Sequence, residues 1–103
     1  MSTEKVFAAL GDETRLELVR RLTVGGPQRT LDLVAGLEMS RQAATKHLEI
    51  LEGAGLVKSE KSGREVLRSL DPEALDAAAS WLAKRAMEWD DRLDRLKKML
   101  ESD

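Results

Sequence analysis

The chain has 103 residues, 42% hydrophobic and 35% charged, with a formal net charge of -2 and no cysteine. That length fits one domain with a self-sustaining core, and the lack of cysteine excludes disulfides, thiolate metal sites, cysteine nucleophiles and thiol redox sensing. The opening MSTEKVF has no apolar run suited to a signal peptide, no later stretch approaches the roughly 20 apolar residues of a membrane span, and a cytoplasmic protein is expected.

Residues from Lys5 to Leu10 are expected to form a short first helix, with Val6, Phe7 and Leu10 apolar and Gly11 ending it. Asp12 suits an N-cap, and Leu16, Val19 and Leu22 mark the buried side of a second helix that ends near Val24, before the breaker Gly25-Gly26-Pro27. Arg15, Arg20 and Arg21 fall on what reads as its solvated face, from which an arginine fork can also reach a phosphate.

The stretch TLDLVAGLEMSRQAATKHLEILEGAGLV, from Thr30 to Val57, reads as two short helices joined by a tight turn, a helix-turn-helix. Thr30 and Ser40 each carry a hydroxyl that can accept from the free amides of a first helical turn. One helix is therefore expected from Leu31 to about Leu37 and a second from Arg41 to about Glu52. In the second, Ala44, Leu48 and Leu51 fall at i, i+4 and i+7, an inward stripe. The opposite face carries Arg41, Gln42, Thr45, Lys46 and Glu49. All but Glu49 can hydrogen-bond base edges and phosphates in a major groove about as wide as one helix. A plain solvated face has the same pattern, so both readings stand on this stretch alone. His47, the only histidine, is equally a packing residue or a groove contact.

GLVKSEKSGREVLRSL then reads as a β-hairpin turning at Ser62-Gly63, with Lys58, Lys61, Arg64 and Arg68 along it. A basic hairpin after such a helix is the arrangement called a winged helix. The expected fold is thus mainly α with a small β-hairpin wing, in the order α-α-α-α-β-β-α, as one unit over 1–103. From Arg41 to Arg68 six basic side chains stand against four acidic ones. This local excess matters more to a phosphate than the net charge, because fields are screened within about 10 Å.

Asp71-Pro72 opens the longest element, with Asp71 as cap and Pro72 at the first helical position. No Gly or Pro interrupts it before about Glu101. Leu75, Ala78, Leu82, Ala86, Trp89, Leu93, Leu96 and Leu100 recur three and four apart, as on a helix presenting a sustained seam. A helix from Pro72 to Glu101 would span roughly 45 Å, more than the remaining chain can easily cover. Part of it is expected to pack on a second copy. Val6 of the first helix and Leu82, Trp89, Leu93 and Leu96 are assigned to that homodimer interface, although the stretch from Leu75 to Leu82 can instead fold back on its own domain. Trp81 and Trp89 read as packing residues rather than a ligand cage.

Three blocks, ALGDETRLELVRRL, SRQAATKHLEILEGAGLV and SGREVLRSLDP, together resemble the ArsR/SmtB family of small winged helix-turn-helix transcriptional regulators. The middle block is the most specific, with Ser40, Ala44, Thr45, Lys46, His47-Leu48 and Ala54-Gly55-Leu56-Val57 all in register. The resemblance implies a sequence-specific DNA-binding regulator, a homodimeric repressor on a palindromic operator. Ser40, Arg41, Gln42, Thr45, Lys46 and His47 would then lie in or beside the major groove, and Lys61 and Arg64 on phosphates or in the minor groove. Many members of that family are metal sensors. Aligned through Ser40, their two cysteine positions fall on Arg29 and Leu31, and the last helix holds no histidine, so no metal and no cofactor is expected and any effector is left open. Arg68 stands where relatives often carry an aromatic residue. His47 has no nucleophile and orienting group to complete a catalytic set, so no enzyme is expected. The remaining alternative is a protein-protein interaction module that uses the C-terminal helix and keeps the helix-turn-helix as a scaffold.

Overall fold

The computed structural model describes residues 2–102, so Met1 and Asp103, the two ends of the unit expected over 1–103, lie outside it. Helix α1 (Thr3–Leu10) starts at Ser2, whose hydroxyl accepts from the Lys5 amide, and stops at Gly11. Helix α2 (Glu13–Gly25) starts at Asp12, whose carboxylate accepts from the Arg15 amide at 2.9 Å. Both side chains satisfy amides that have no partner within the helix. The buried residues of α2 are Leu18, Val19 and Leu22, whereas Leu16 is 52% exposed. The expected stripe was therefore displaced. At about 100° per residue, Leu18 lies about 40° around the helix from Leu22 but Leu16 about 120° from it, outside the arc that α1 and the later helices cover.

The chain continues through β1 (Gln28–Arg29), α3 (Thr30–Leu33), α4 (Arg41–Gly53), β2 (Val57–Ser62), β3 (Glu65–Leu70) and α5 (Pro72–Glu101). The strands form one antiparallel sheet in the order β1-β3-β2. In the β2–β3 hairpin Val57 pairs with Leu70 and Ser62 with Glu65, so the turn is Gly63-Arg64, one residue later than expected. Gly63 adopts φ 65°, and glycine is the residue favoured for a positive φ at the first position of a two-residue hairpin turn. Strand β1 is the addition that the sequence did not announce. Two residues are too few to show alternation, and β1 forms because β3 offers it a free edge, pairing Gln28 with Arg68 and Arg29 with Leu67.

Leu18, Leu33, Leu48, Leu51, Leu56 and Val6 are the large side chains fully enclosed in the core. They come from α1, α2, α3, α4 and the α4–β2 turn, so one apolar cluster sets the mutual angles of the helices. Ala44, Leu48 and Leu51 are all buried, as their spacing requires. Val6 is 1% exposed. It therefore has no surface to offer a second copy, and its assignment to an interface is corrected: an apolar residue on the inner side of α1 is used by its own core.

Helix α5 is capped by Asp71, which accepts from the Glu73 amide at 3.1 Å, and carries Pro72 in its first turn. Only its root is packed, through buried Ala74 and Ala78 and partly covered Leu75. Phe7 of α1 meets Trp81 edge-on with ring centroids 5.6 Å apart, and the Arg85 guanidinium lies 4.5 Å over the Trp81 ring. From Ala79 to Ser102 every residue is exposed. The radius of gyration is 18.7 Å, against about 13 Å for a compact chain of this length. The excess is the projecting half of α5, which carries Leu82, Trp89, Leu93 and Leu96 with it. Among the described residues no helix is long and apolar enough to cross a membrane.

Leu48→Ala should lower the unfolding free energy by about 2–5 kcal/mol, read as an earlier midpoint in urea. Leu16→Ala should change it by less than about 0.5 kcal/mol. Equal costs would contradict the observed stripe of α2.

Candidate nucleic-acid interface

Helix α3 is shorter than its expected span to Leu37. It ends at Leu33, is capped by Val34, and is followed by Gly36 at φ 82°, a backbone that cannot continue a right-handed helix. The lost helical bonds are replaced by an arginine of α2: Arg21 Nη1 donates to the carbonyls of Leu33 at 2.9 Å and Ala35 at 2.7 Å. The N-cap position is Arg29 with no side-chain cap bond. Thr30 is the first helical residue instead, and its hydroxyl accepts from Arg68 Nε at 3.0 Å.

Arg21 is held in turn by Glu17 at 3.1 Å, and Arg20 grips the same carboxylate through two nitrogens at 2.9 and 2.7 Å. These hydrogen bonds, from Arg20 first and Arg21 second, lower the Glu17 carboxyl from its ordinary 4.5 to about 2. Arg15 performs the corresponding task for α1: Nε donates to the Ala9 carbonyl at 2.6 Å and Nη2 to that of Ala8 at 3.4 Å. The three arginines expected on a solvated face thus divide, with Arg15 and Arg21 closing the carbonyl ends of neighbouring helices and Arg20 staying exposed.

Ser40 caps α4, its hydroxyl accepting from the Ala43 amide at 3.1 Å. The hydroxyl proton remains free to donate outward. Because Ala44, Leu48 and Leu51 point into the core, Arg41, Gln42, Thr45, Lys46 and Glu49 line one open face. Arg41, Gln42 and Lys46 make no ion pair or side-chain hydrogen bond among the described residues. Thr45 donates its hydroxyl proton to the Arg41 carbonyl at 2.9 Å, which leaves its methyl group and lone pairs available. His47 turns elsewhere. Its Nδ1 lies 3.2 Å from Arg15 Nη1 and 3.8 Å from Asp12 Oδ2. A guanidinium can only donate, so Nδ1 accepts and the ring docks α4 on the α1–α2 turn. The Arg15 backbone amide, with the Arg15 guanidinium, keeps the Asp12 carboxyl below its usual range.

The wing stands across a cleft from α4. Arg41 and Thr45 form one wall, and Arg64, Glu65, Val66 and Arg68 of the hairpin form the other, with Arg29, Thr30 and Leu31 at its end; the cavity is about 280 Å³. Lys61 and Arg64 are exposed at the hairpin tip. Arg68 is 12% exposed and committed to the fold, donating to Thr30 and, at 2.6 Å, to the Ser59 hydroxyl, with Glu52 3.6 Å away. Two residues of this cleft, Arg29 and Arg68, were named in the sequence but not assigned to the site: Arg68 as a basic residue of the hairpin and Arg29 only as the position of a family cysteine, since β1 leaves no periodic trace. Among the described residues no group of three or more His, Cys, Asp or Glu side chains comes together.

A helix-turn-helix followed by a two-stranded wing, with an outward polar face on its second helix, defines a winged helix-turn-helix protein. Residues 10–60 match the profile of a helix-turn-helix domain. The chain is 37% identical over 76 residues to the HTH-type transcriptional regulator Rv2034 of Mycobacterium tuberculosis, covering 74% of this chain and 70% of that protein. It is 37% identical over 73 residues to a Staphylococcus aureus homolog of the cadmium resistance transcriptional regulatory protein CadC, covering 71% of this chain but only 60% of that relative's length. Among solved structures, the ArsR-like transcriptional regulator from Rhodococcus sp. RHA1 superposes with a TM-score of 0.82 at 40% identity, over 94% of this chain and 91% of that one. The chain belongs to the ArsR family of winged helix-turn-helix transcriptional regulators, a non-enzymatic class.

Glu17 links Arg20 and Arg21 only while ionised. Its depressed carboxyl contributes stability above about pH 4.5 and loses it as the pH falls toward about 2. In urea unfolding across that window, the wild type should therefore lose its advantage over Glu17→Gln progressively, with the two converging near pH 2. Added salt should shrink the difference at neutral pH, since Glu17 keeps 31% of its side-chain exposure.

Proposed function

We propose that the chain is a cytoplasmic homodimeric repressor that binds a palindromic operator, with α4 in the major groove and the β2–β3 wing on the adjoining backbone. The observation that carries this reading is the face of α4 on which Arg41, Gln42 and Lys46 stand exposed and without side-chain partners among the described residues, with Arg41 across the cleft from Arg64. Gln42 suits a bidentate pair with adenine and Arg41 or Lys46 with guanine, while Thr45 offers a methyl to thymine. Ser40 donates to a phosphate at the start of the helix, and Lys61 and Arg64 supply contacts from the wing that carry affinity but no sequence. His47 is left outside the base-reading set because its Nδ1 accepts from Arg15. No metal effector enters the reading, since neither Arg29 nor Leu31 can replace a thiolate.

The dimer is supported by α5. Leu82, Trp89, Leu93 and Leu96 are exposed on a helix that projects from its own core, an apolar surface that a monomeric protein rarely leaves bare. A two-fold axis along such helices would present two copies of α4, as a palindrome with half-sites about 34–36 Å apart requires. The same seam could serve a different protein, the reading in which the helix-turn-helix is only a scaffold.

Selection from random duplexes at two salt concentrations should enrich a palindrome with half-sites about one helical turn apart. No enrichment, and no binding at low salt, would transfer the conclusion to the interaction module. On the enriched site, Gln42→Ala should relax preference at one position of each half-site by about 1–3 kcal/mol. Arg64→Ala should weaken all sequences alike and reduce the salt slope by about one. Leu93→Asp should convert a dimer to a monomer in sedimentation while leaving the helical content unchanged, because the residue is exposed and touches no core.

A further inference from the structure

The arginines of the cleft differ in what already holds them. Arg68 is mostly covered and committed to the fold, and Arg41 and Arg64 have no ion pair among the described residues. Arg29 has two carboxylates: Nε donates to Asp32 Oδ2 at 2.9 Å and Nη1 to Glu65 Oε1 at 2.7 Å. The pair with Asp32 is local to α3, three residues away. The pair with Glu65 crosses the sheet. Arg29 lies opposite Leu67 in the β1–β3 register, and Glu65 is two residues along on the same side of β3, within diagonal reach of a long side chain. Glu65 is also next to Arg64 in the turn, and among the described residues it is the one carboxylate lining the cleft.

All three partners are about half exposed, at 47% for Arg29, 53% for Asp32 and 51% for Glu65. Ion pairs in that setting are worth little net free energy, because water competes for both charges. A phosphate oxygen offers a guanidinium the same kind of charge-assisted bond as a carboxylate oxygen. A backbone phosphate brought alongside Arg64 would therefore meet Arg29 already occupied, and Glu65 would repel it.

We propose that Glu65 is a built-in competitor for DNA phosphate: it holds Arg29 across the wing in the free protein and surrenders it when the backbone enters the cleft. The inference rests on the DNA-binding reading above and adds that the affinity is set lower than the cleft's arginines would allow. Each binding event breaks the Arg29–Glu65 pair, and the freed carboxylate takes back a counterion. One ion fewer is released overall, so the salt dependence of the wild type is shallower than its phosphate contacts alone would give.

The test is binding of the full chain to a mixed-sequence duplex over a salt series, for wild type, E65Q, R29A and the double variant. E65Q should bind several-fold tighter at low salt, with a salt slope steeper by about 0.9. In the R29A background the same substitution should gain much less. An E65Q gain that is absent, or equally large with and without Arg29, would overturn the competitor role while leaving DNA binding intact, since the second result is simple removal of a negative charge. A wild type that binds no duplex at low salt would overturn both readings together. Because Glu65 is exposed, E65Q should unfold at nearly the wild-type temperature.

Discussion

The guanidinium of Arg68 fixes the geometry on which the rest of the binding surface depends. From the middle of β3 it reaches Thr30 at the start of α3, Ser59 on β2 and the carboxylate of Glu52 near the end of α4. A charge largely withdrawn from water is tolerated when acceptors and an opposite charge are close. Here they come from three different elements, so satisfying one side chain also fixes the angle between wing and helix-turn-helix. The cleft has a definite width for that reason. An aromatic residue in the same place would fill space but could not tie these elements through directed bonds.

The helix-turn-helix is short of helix and compensates with arginine. α3 has one turn, and its end is closed by Arg21, while the end of α1 is closed by Arg15. Cations suit these positions because the carbonyl end of a helix carries partial negative charge. This division explains how a chain with a net charge of -2 can present a basic face. Arg15, Arg20, Arg21, Arg29 and Arg68 are paired with carboxylates or carbonyls, whereas Arg41, Lys46, Lys61 and Arg64 remain outward. A phosphate within a Debye length senses that second group more than the formal total.

The parts of the fold that were readable in the sequence are those with local causes. Ser40 and Asp12 cap as their chemistry dictates, Asp71-Pro72 opens the long helix, and the stripe of Ala44, Leu48 and Leu51 is buried. The unreadable parts are long-range. β1 exists only because β3 has a free edge, α3 ends where an arginine from another helix meets its carbonyls, and Leu16 loses to Leu18 by the direction from which neighbours arrive. The same split runs through the candidate site. The outward residues of α4 follow from helical period, but the pairing of Arg29 with Glu65 spans 36 positions and depends on sheet register. His47 had a packing role as one of its two readings, but nothing local named Arg15, 32 positions away, as its partner.

Helix α5 is anchored at one end only, by Ala74, Ala78 and Trp81 against α1. The roughly 30 Å of helix beyond Trp81 acts as a lever, and a tilt of about 10° at the root carries its far end through about 5 Å. Ala74 and Ala78 are buried in that anchor, so an added methyl group at either would be magnified along the rod. The distance between anything docked on the far end and the α4 face thus depends on core residues far from both.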